Sequence, residues 1–430
     1  MLLIYNTLQG LLLPLVAPPV FIYLEFKHKY RGHVSARLKL PHDIPGPKGY
    51  GPRIWIHALS VGEVNAAATL VRAVSKKWPR ADIICSSSTK TGMAALRRSM
   101  AGMDGLVIQM PFDLMPLIRK LVNRLAPDCF VLIETDVWPN LIWTLKKKGV
   151  PVLMVNGSIS SGAQKKLKRL GKTFAAFLYN GLDHLAMQSE DDRRRLLDLG
   201  LPKDKVSVAG NLKYDIKCAP DQEQDKKKKE LGLKPDGPVI VAGSTHKGEE
   251  APMLAAFLSL SRDLPGLQLV IAPRDPDRGK EIWRMAEGLG LTVKLRSAMD
   301  RAADAQILVL DTLGELAGCY KIADIAFVGG SLMDAGGHNI LEPAACGVPV
   351  IFGPHMESFR DVADRFVSAG AGIAVGNAKE MERAIRRLLL DKDMRIRMGK
   401  LAKDLIKKDG GATLRCLKLI SDAIQERNPA

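Results

Sequence analysis

Residues 129–140 read C-F-V-L-I-E-T-D-V-W-P-N, and the architecture follows from them. Cys129 to Ile133 are apolar without alternation, as a strand covered on both faces of a parallel sheet requires. Two acids and a Trp come next, and Pro139 stands where a helix accepts a proline in its first turn. The unit is strand, polar loop, helix, and it recurs in both directions along the chain. Further strands are expected at Arg53 to Leu59, Asp82 to Ser86, Leu106 to Met110, Val150 to Val155, His184 to Met187 and Val206 to Ala209, with amphipathic segments between them. The polar stretch 218–237, with Pro220, Asp221 and the run Lys226 to Lys229, breaks the series and leads into a solvated helix. A second series occupies Val239 to Ala242, Leu269 to Ala272, Ile307 to Leu310, Ile325 to Val328 and Val348 to Phe352. The fold class expected is α/β: two doubly wound, Rossmann-like domains, 41–217 and 238–410, facing a cleft with ligands at the carboxyl ends of the strands. A linker at 218–237 and a C-terminal helix at 411–430 complete the division.

At 430 residues the chain exceeds what one ordinary core serves. Apolar residues make up 47% and charged residues 25%, which excludes general disorder. With 63 basic and 46 acidic residues the formal charge is +17, so an anionic partner is expected. Nucleic acid is disfavoured, because only 5% of residues are aromatic and no run interleaves aromatics with Arg and Lys as a base-stacking surface does. Anionic lipid or a phosphorylated substrate fits better. Cys85, Cys129, Cys218, Cys319, Cys346 and Cys416 show no C-x-x-C pair and no metal-like spacing. They read as reduced, mostly buried thiols of a cytosolic compartment.

Met1 to Leu24 carries no charge, and Lys27, Lys29, Arg31, Arg37 and Lys39 follow it. That order suggests an uncleaved membrane anchor at 1–24 with the remainder on the cytoplasmic side. Pro14, Pro18 and Pro19, with Asn6 and Gln9, interrupt a straight spanning helix and leave a shallow, monotopic insertion open. A first helix packed against the protein is the alternative.

Four constellations could carry chemistry. Ser60-Val61-Gly62-Glu63 follows the first strand, where a carboxylate can take a proton from a hydroxyl; by itself Glu63 is more often a first-turn residue favoured by the helix dipole. Glu134 to Asn140 gathers two acids and a Trp at another strand end, and helix-start acids are the competing reading. Gly210-Asn211-Leu212-Lys213-Tyr214-Asp215 offers Lys213 as a point cation, although a lone loop Lys is usually a solvated one. The most specific cluster runs Phe327-Val328-Gly329-Gly330-Ser331, then Gly336-Gly337-His338-Asn339-Ile340-Leu341-Glu342-Pro343. Its glycines let backbone amides approach a phosphate, a helix beginning near Asn339 adds its amino-terminal dipole, and Glu342 can accept from ribose hydroxyls. No G-K-S/T and no G-x-G-x-x-G accompanies it, which disfavours a kinase or ATPase. Pro273-Arg274 and Leu313-Gly314-Glu315 fall at further strand ends. Asp275-Pro276-Asp277 imitates a metal-binding acid pair but suits a helix cap.

In order, S-V-G-E, E-T-x-x-W-P-N, G-N-L-K-x-D, S-T-H-x-G-E-E, D-T-x-G-E-L and G-G-H-N-x-x-E-P resemble the 3-deoxy-D-manno-octulosonic acid (Kdo) transferases of Gram-negative lipopolysaccharide synthesis, glycosyltransferase family 30. The resemblance extends from the amino terminus to near residue 375. It implies a GT-B fold, CMP-Kdo as donor, a lipid A precursor (lipid IVA) as acceptor, and no cofactor or catalytic metal. It also implies an inner-membrane location with the catalytic domains on the cytoplasmic face. Glu63 matches the family's general base, and Glu134 and Lys213 match positions that stabilise the transition state. CMP contacts are implied at Pro273, Arg274, Leu313, Gly314, Glu315, Asn339, Ile340, Leu341 and Glu342. Three departures stand out: Asp275 replaces the His of P-R-H-P-E-R, Gly157-Ser158-Ile159-Ser160 follows Asn156 where the family has an Arg, and Asp136 replaces the second Glu of E-T-E-L-W-P-N. Direct displacement with a single base would invert the anomeric centre. Lys165, Lys166, Lys168 and Arg169 read either as a site for acceptor phosphates or the bilayer, or as a solvated helix face. Two other classes share such an architecture: a sugar-nucleotide epimerase and a nonenzymatic membrane-bound nucleotide-sugar sensor.

Overall fold

The computed structural model describes residues 1–12, 14, 33–41, 44–216, 218, 224–298 and 305–427. The chain divides into two units, Met1–Asp215 with Asp409–Ala430, and Ile216–Lys408.

The first unit is built on β1 (Arg53–His57), β2 (Asp82–Ser87), β3 (Gly105–Gln109), β4 (Cys129–Ile133), β5 (Val152–Gly157), β6 (His184–Met187) and β7 (Val206–Val208). They pair in the order β3-β2-β1-β4-β5-β6-β7, all parallel. Both faces are covered, and the two-residue period of a strand sorts the side chains. Ile54 and Ile56 enter one core, whereas Trp55 enters the other and meets Phe130 of the neighbouring strand edge-on at 4.7 Å. The helix Ala412–Arg427 belongs to this unit: Cys416, Leu417, Ile420 and Ala423 pack into the first core. Each large apolar side chain buried in this way contributes about 1.5–3 kcal/mol. Asp215 seats that helix, its carboxylate accepting from the amides of Gly411 and Thr413.

The second unit is built on β8 (Val239–Thr245), β9 (Gln268–Pro273), β10 (Val293–Leu295), β11 (Ile307–Val309), β12 (Ile325–Val328), β13 (Val350–Phe352) and β14 (Gly372–Ala374). Their order is β10-β11-β9-β8-β12-β13-β14, again parallel throughout. In each sheet the winding changes sides, between β1 and β4 and between β8 and β12. A doubly wound sheet opens a crevice at such a point, on the carboxyl side of the strands.

Every strand expected from the sequence is present, with ends moved by up to three residues. The edge strands β10 and β14 were not expected; three residues are too few to display a period. The segment before β8 contains the helix Gln224–Glu230, and Lys228 within it is buried, donating to the carbonyls of Pro235 and Gly237. The expectation of six reduced thiols is corrected: Cys218 and Cys346 form a disulfide, with Cα atoms 4.9 Å apart across a sequence separation of 128. Spacing along the chain cannot reveal a pair that only the fold brings together. Cys85, Cys129, Cys319 and Cys416 are free and buried.

Residues 2–12 form a helix whose polar edge faces the first unit. Tyr5 donates to Asp113 at 3.2 Å, and Asn6 and Asn140 exchange hydrogen bonds of 2.9 Å. Its apolar edge faces outward: Leu3 is 80% exposed, Ile4 57%, Leu8 51% and Leu11 63%. Among the described residues no helix is long and apolar enough to cross a membrane. Residues 15–24 of the expected anchor, with Lys27, Lys29 and Arg31, lie outside the described residues.

Replacing Asp215 by Ala strips two helix amides of a charged acceptor, a loss of about 2 kcal/mol. Urea denaturation should show the midpoint falling accordingly.

Candidate active site

In the first unit the polar residues gather where β1 and β4 end. Ser60 caps the helix Val61–Lys77, accepting from the Glu63 amide. The Glu63 carboxyl folds back over this turn: Oε2 accepts from the Leu59 amide at 2.7 Å and Oε1 from the Ser60 hydroxyl at 3.3 Å. The arrangement is close to a capping box, so the helix-start reading of Glu63 holds. A chemical reading stands beside it, because the side chain is buried and two further acids act on it. Burial, aided by the charges of Glu134 and Asp136, pushes the Glu63 pKa up to about 7.

Glu134 sits immediately after β4 with φ +64°, a left-handed conformation that costs a non-glycine residue about 1 kcal/mol or more. Its amide donates to Val155 and its Oε1 accepts from Asn156 at 3.2 Å. Burial raises the proton affinity of Glu134, opposed by the positive charge of Lys213. Asn156 ties the arrangement together. Also left-handed, at φ +56°, and fully buried, it accepts from the Leu212 amide at 2.9 Å. Its carbonyl accepts from Gln188, whose side chain accepts from Asn211, whose side chain accepts from the Lys213 amide. Glu63, Glu134 and Lys213 are therefore brought into one electrostatic neighbourhood. In the sequence Asn156 stands out only as the residue before a departure from the family pattern; its double role as donor and acceptor depends on contacts 22 and 56 residues away.

Asp136 lies beside them, its Oδ2 3.2 Å from His57 Nε2. Asp113, buried after β3, accepts from the amides of Asn140 and Leu141 at 2.9 and 3.0 Å and so starts the helix Pro139–Lys147. Burial pushes its pKa up to about 6.

In the second unit the ends of β8 and β12 are joined by Glu249, a fully buried carboxylate. Oε2 accepts from the amides of Gly330 at 2.7 Å and His246 at 2.8 Å, and Oε1 from those of Leu332 at 2.9 Å and Ser331 at 3.0 Å. Gly329 must be glycine here, since a Cβ would stand 2.6 Å from Thr245 Cα and 2.8 Å from Glu249 Oε2. The S-T-H-x-G-E-E stretch thus shapes the glycine loop, a role the sequence reading left unassigned. Its second acid, Glu250, holds Arg278 through two contacts of 3.3 Å.

Facing this loop, His246 and His338 stack with their Nε2 atoms 2.8 Å apart. Burial, then Arg274, then His246 lowers the His338 pKa to about 4, so His338 is neutral at physiological pH. Arg274 is exposed directly after β9, and Pro273 is buried within it. The helix expected near Asn339 begins at Leu341 and spans Leu341–Ala345. Asn339 accepts from the Leu341 amide and donates to Glu342 at 3.1 Å; burial raises the proton affinity of Glu342. Ile340 and Leu341 are fully buried core residues, so only their backbone is available to a ligand. Leu313 is 81% exposed. Glu315 is held by Arg296 at 2.9 Å and Thr312 at 2.6 Å, and the Arg296 hydrogen bonds keep its carboxyl below the usual range. Asp275 caps the turn Pro276–Arg278 through the Asp277 amide. Among the described residues, Asp334, His355 and Glu357 each bring one potential ligand atom to within 4.8 Å of the others, Asp334 and Glu357 being exposed.

Two parallel doubly wound sheets, each carrying its polar residues at the reversal point, make this a fold of GT-B type. A UDP-GlcNAc 2-epimerase from Neisseria meningitidis aligns at a TM-score of 0.55 with 15% identity, over 87% of this chain and all of that one. Residues 32–216 match the family described as 3-deoxy-D-manno-octulosonic-acid transferase (kdotransferase), and residues 223–405 match glycosyl transferases group 1. A 3-deoxy-D-manno-octulosonic acid transferase of Haemophilus influenzae is 30% identical over 99% of both chains. One from Bordetella pertussis is 32% identical over 91% of this chain and 90% of its own. The chain belongs to the 3-deoxy-D-manno-octulosonic acid transferase family and is a glycosyltransferase.

Glu249→Gln replaces two acceptor positions by an amide donor and leaves buried backbone amides unpaired, a cost of about 2–4 kcal/mol. Equilibrium denaturation should register that loss.

Proposed function

We propose that this protein transfers Kdo from CMP-Kdo to a hydroxyl of a lipid A precursor in lipopolysaccharide synthesis, with Glu63 as general base and with inversion at the anomeric carbon. The observation that carries the reading is the state of Glu63. It is a buried carboxyl at the reversal point of the first sheet, hydrogen-bonded through both oxygens, with a pKa pushed up to about 7. A base with that proton affinity is ionised for a useful fraction of the time near neutrality and still binds a proton firmly. Family membership supports the donor and the reaction type.

The acceptor hydroxyl loses its proton to Glu63 as its oxygen attacks the anomeric carbon, and the bond to the CMP phosphate breaks with its electron pair on the phosphate oxygen. Lys213, placed in the field of Glu134, supplies positive charge to the developing anion. On the donor side, Arg274 and the backbone of the Glu249-anchored loop suit the phosphate, and Asn339 with Glu342 suits the ribose. Glu315 is available to the nucleotide only if Arg296 and Thr312 share it. No metal enters this scheme.

Attachment to an anionic inner membrane, with the catalytic units on the cytoplasmic side, belongs to the same proposal. Its support is the helix 2–12, which turns its polar edge to the protein and its leucines outward, the reverse of a water-facing helix. The helix Ser161–Leu170 has no buried residue and presents Lys165, Lys166 and Arg169, each such cation near an anionic surface adding about 1 kcal/mol.

Glu63→Gln should lower transfer of labelled Kdo by about 10²–10⁴-fold while CMP binding persists. In the wild type, kcat/KM should fall tenfold per unit as pH drops below about 7, because protonated Glu63 cannot accept. Replacing Leu3, Ile4, Leu8 and Leu11 together by Ser should reduce co-sedimentation with phosphatidylglycerol vesicles by about tenfold or more, and unchanged sedimentation would remove this helix as a membrane contact.

A further inference from the structure

His57 closes β1 three residues before the Ser60 cap, and its side chain is completely buried. The Ser86 oxygen accepts from the Trp55 indole at 2.7 Å and lies 2.8 Å from His57 Nδ1. An ionised carboxylate only accepts hydrogen bonds, so the ring nitrogen that meets Asp136 carries a hydrogen. That nitrogen is Nε2, which faces Asp136 Oδ2 at 3.2 Å and the Ser88 oxygen at 3.4 Å, while Nδ1 pairs with the Ser86 hydroxyl. A chain of hydrogen bonds linking Trp55, Ser86, His57 and Asp136 thus runs from the core of the sheet to the edge of the candidate active site.

We propose that His57 and Asp136 are a positioning pair, in which the oriented imidazole holds the Asp136 carboxylate beside Glu63 so that a fixed negative charge keeps the base able to take the acceptor's proton. This rests on the reading of Glu63 as the base. The charged groups around the pair come from every neighbouring element. Glu63 comes from the helix Val61–Lys77, and Glu134 stands in the same loop as Asp136 with Lys213 in its own field. Asp113 follows β3 and feels the Asp136 charge. Arg37, from the helix His33–Arg37, attracts Asp136, yet it is engaged elsewhere: its guanidinium lies 4.2 Å from the centre of the Phe112 ring and Nε donates to the Met110 carbonyl at 3.1 Å. His57 is the one of these groups that is in hydrogen-bonding contact with Asp136 through a described bond. The short aspartate side chain suits this contact, and the pairing gives a function to one of the three departures from the family pattern.

The test is the pH profile of kcat/KM for Kdo transfer in wild type, Asp136→Asn, His57→Ala and His57→Gln, with Glu63→Gln as control. Removing the negative charge beside Glu63 favours its ionised form, so the acid limb in Asp136→Asn should move down by about one pH unit. The plateau should fall by about tenfold as the base weakens. His57→Ala releases Asp136 and should move the limb in the same direction. His57→Gln keeps a terminal N–H₂ that can donate to Asp136 and should return the limb toward the wild type. An Asp136→Asn enzyme that is slower but keeps the wild-type limb would overturn the proposal, since packing alone would then explain the pair. Undiminished transfer by Glu63→Gln is a separate outcome that removes the base itself, whereas an inactive Glu63→Gln with an unmoved Asp136→Asn limb removes only the pair.

Discussion

A carboxylate taken out of water must either be saturated with hydrogen-bond donors or surrender part of its preference for charge. The acids of this glycosyltransferase differ in the donors they receive. Glu249 receives four backbone amides and is spent on shaping a loop. Asp215 receives two and seats the last helix. Glu63 receives one amide and one hydroxyl, too few to offset burial and two neighbouring acids, and its proton affinity rises into the range where a base is useful. Its chemistry is the remainder of an incomplete solvation.

The location of these acids follows from the sheets. A parallel strand buried on both faces can carry polar groups only at its ends, and the reversal of winding between β1 and β4, and between β8 and β12, leaves those ends uncovered. Glu63 and Glu134 flank the first reversal, and Glu249 with the Gly329–Ser331 loop flanks the second. The left-handed backbone of Glu134 and Asn156 is the local cost, and the hydrogen bonds joining them to each other and to the loop that carries Lys213 hold it in place.

Continuous apolar runs made the long central strands legible, because burial on both faces leaves a composition that no solvated segment shares. The three-residue edges β10 and β14 offered no such run. At the site, residues that stand at strand ends within distinctive motifs, such as Glu63, Glu134 and Lys213, could be named from the sequence. What could not be read was which acids are used up internally. Glu249 and Glu315 look alike in the chain, yet one is enclosed by amides and the other held by Arg296 and Thr312. Cys218 and Cys346 escaped for the same reason, as only the fold joins two positions separated by 128 in the sequence. The His57–Asp136 contact likewise spans 79 residues.

The most direct measurement is the ionisation of Glu63 itself, by pH-dependent infrared difference spectroscopy of the wild type against Glu63→Gln, which isolates the carboxyl stretch of that one group. The account predicts a protonated-carboxyl band that is present at pH 5, half lost near pH 7 and absent from the variant. A Glu63 carboxyl already fully ionised at pH 5 would contradict it, because a base of ordinary strength would leave the burial and the flanking acids without chemical consequence.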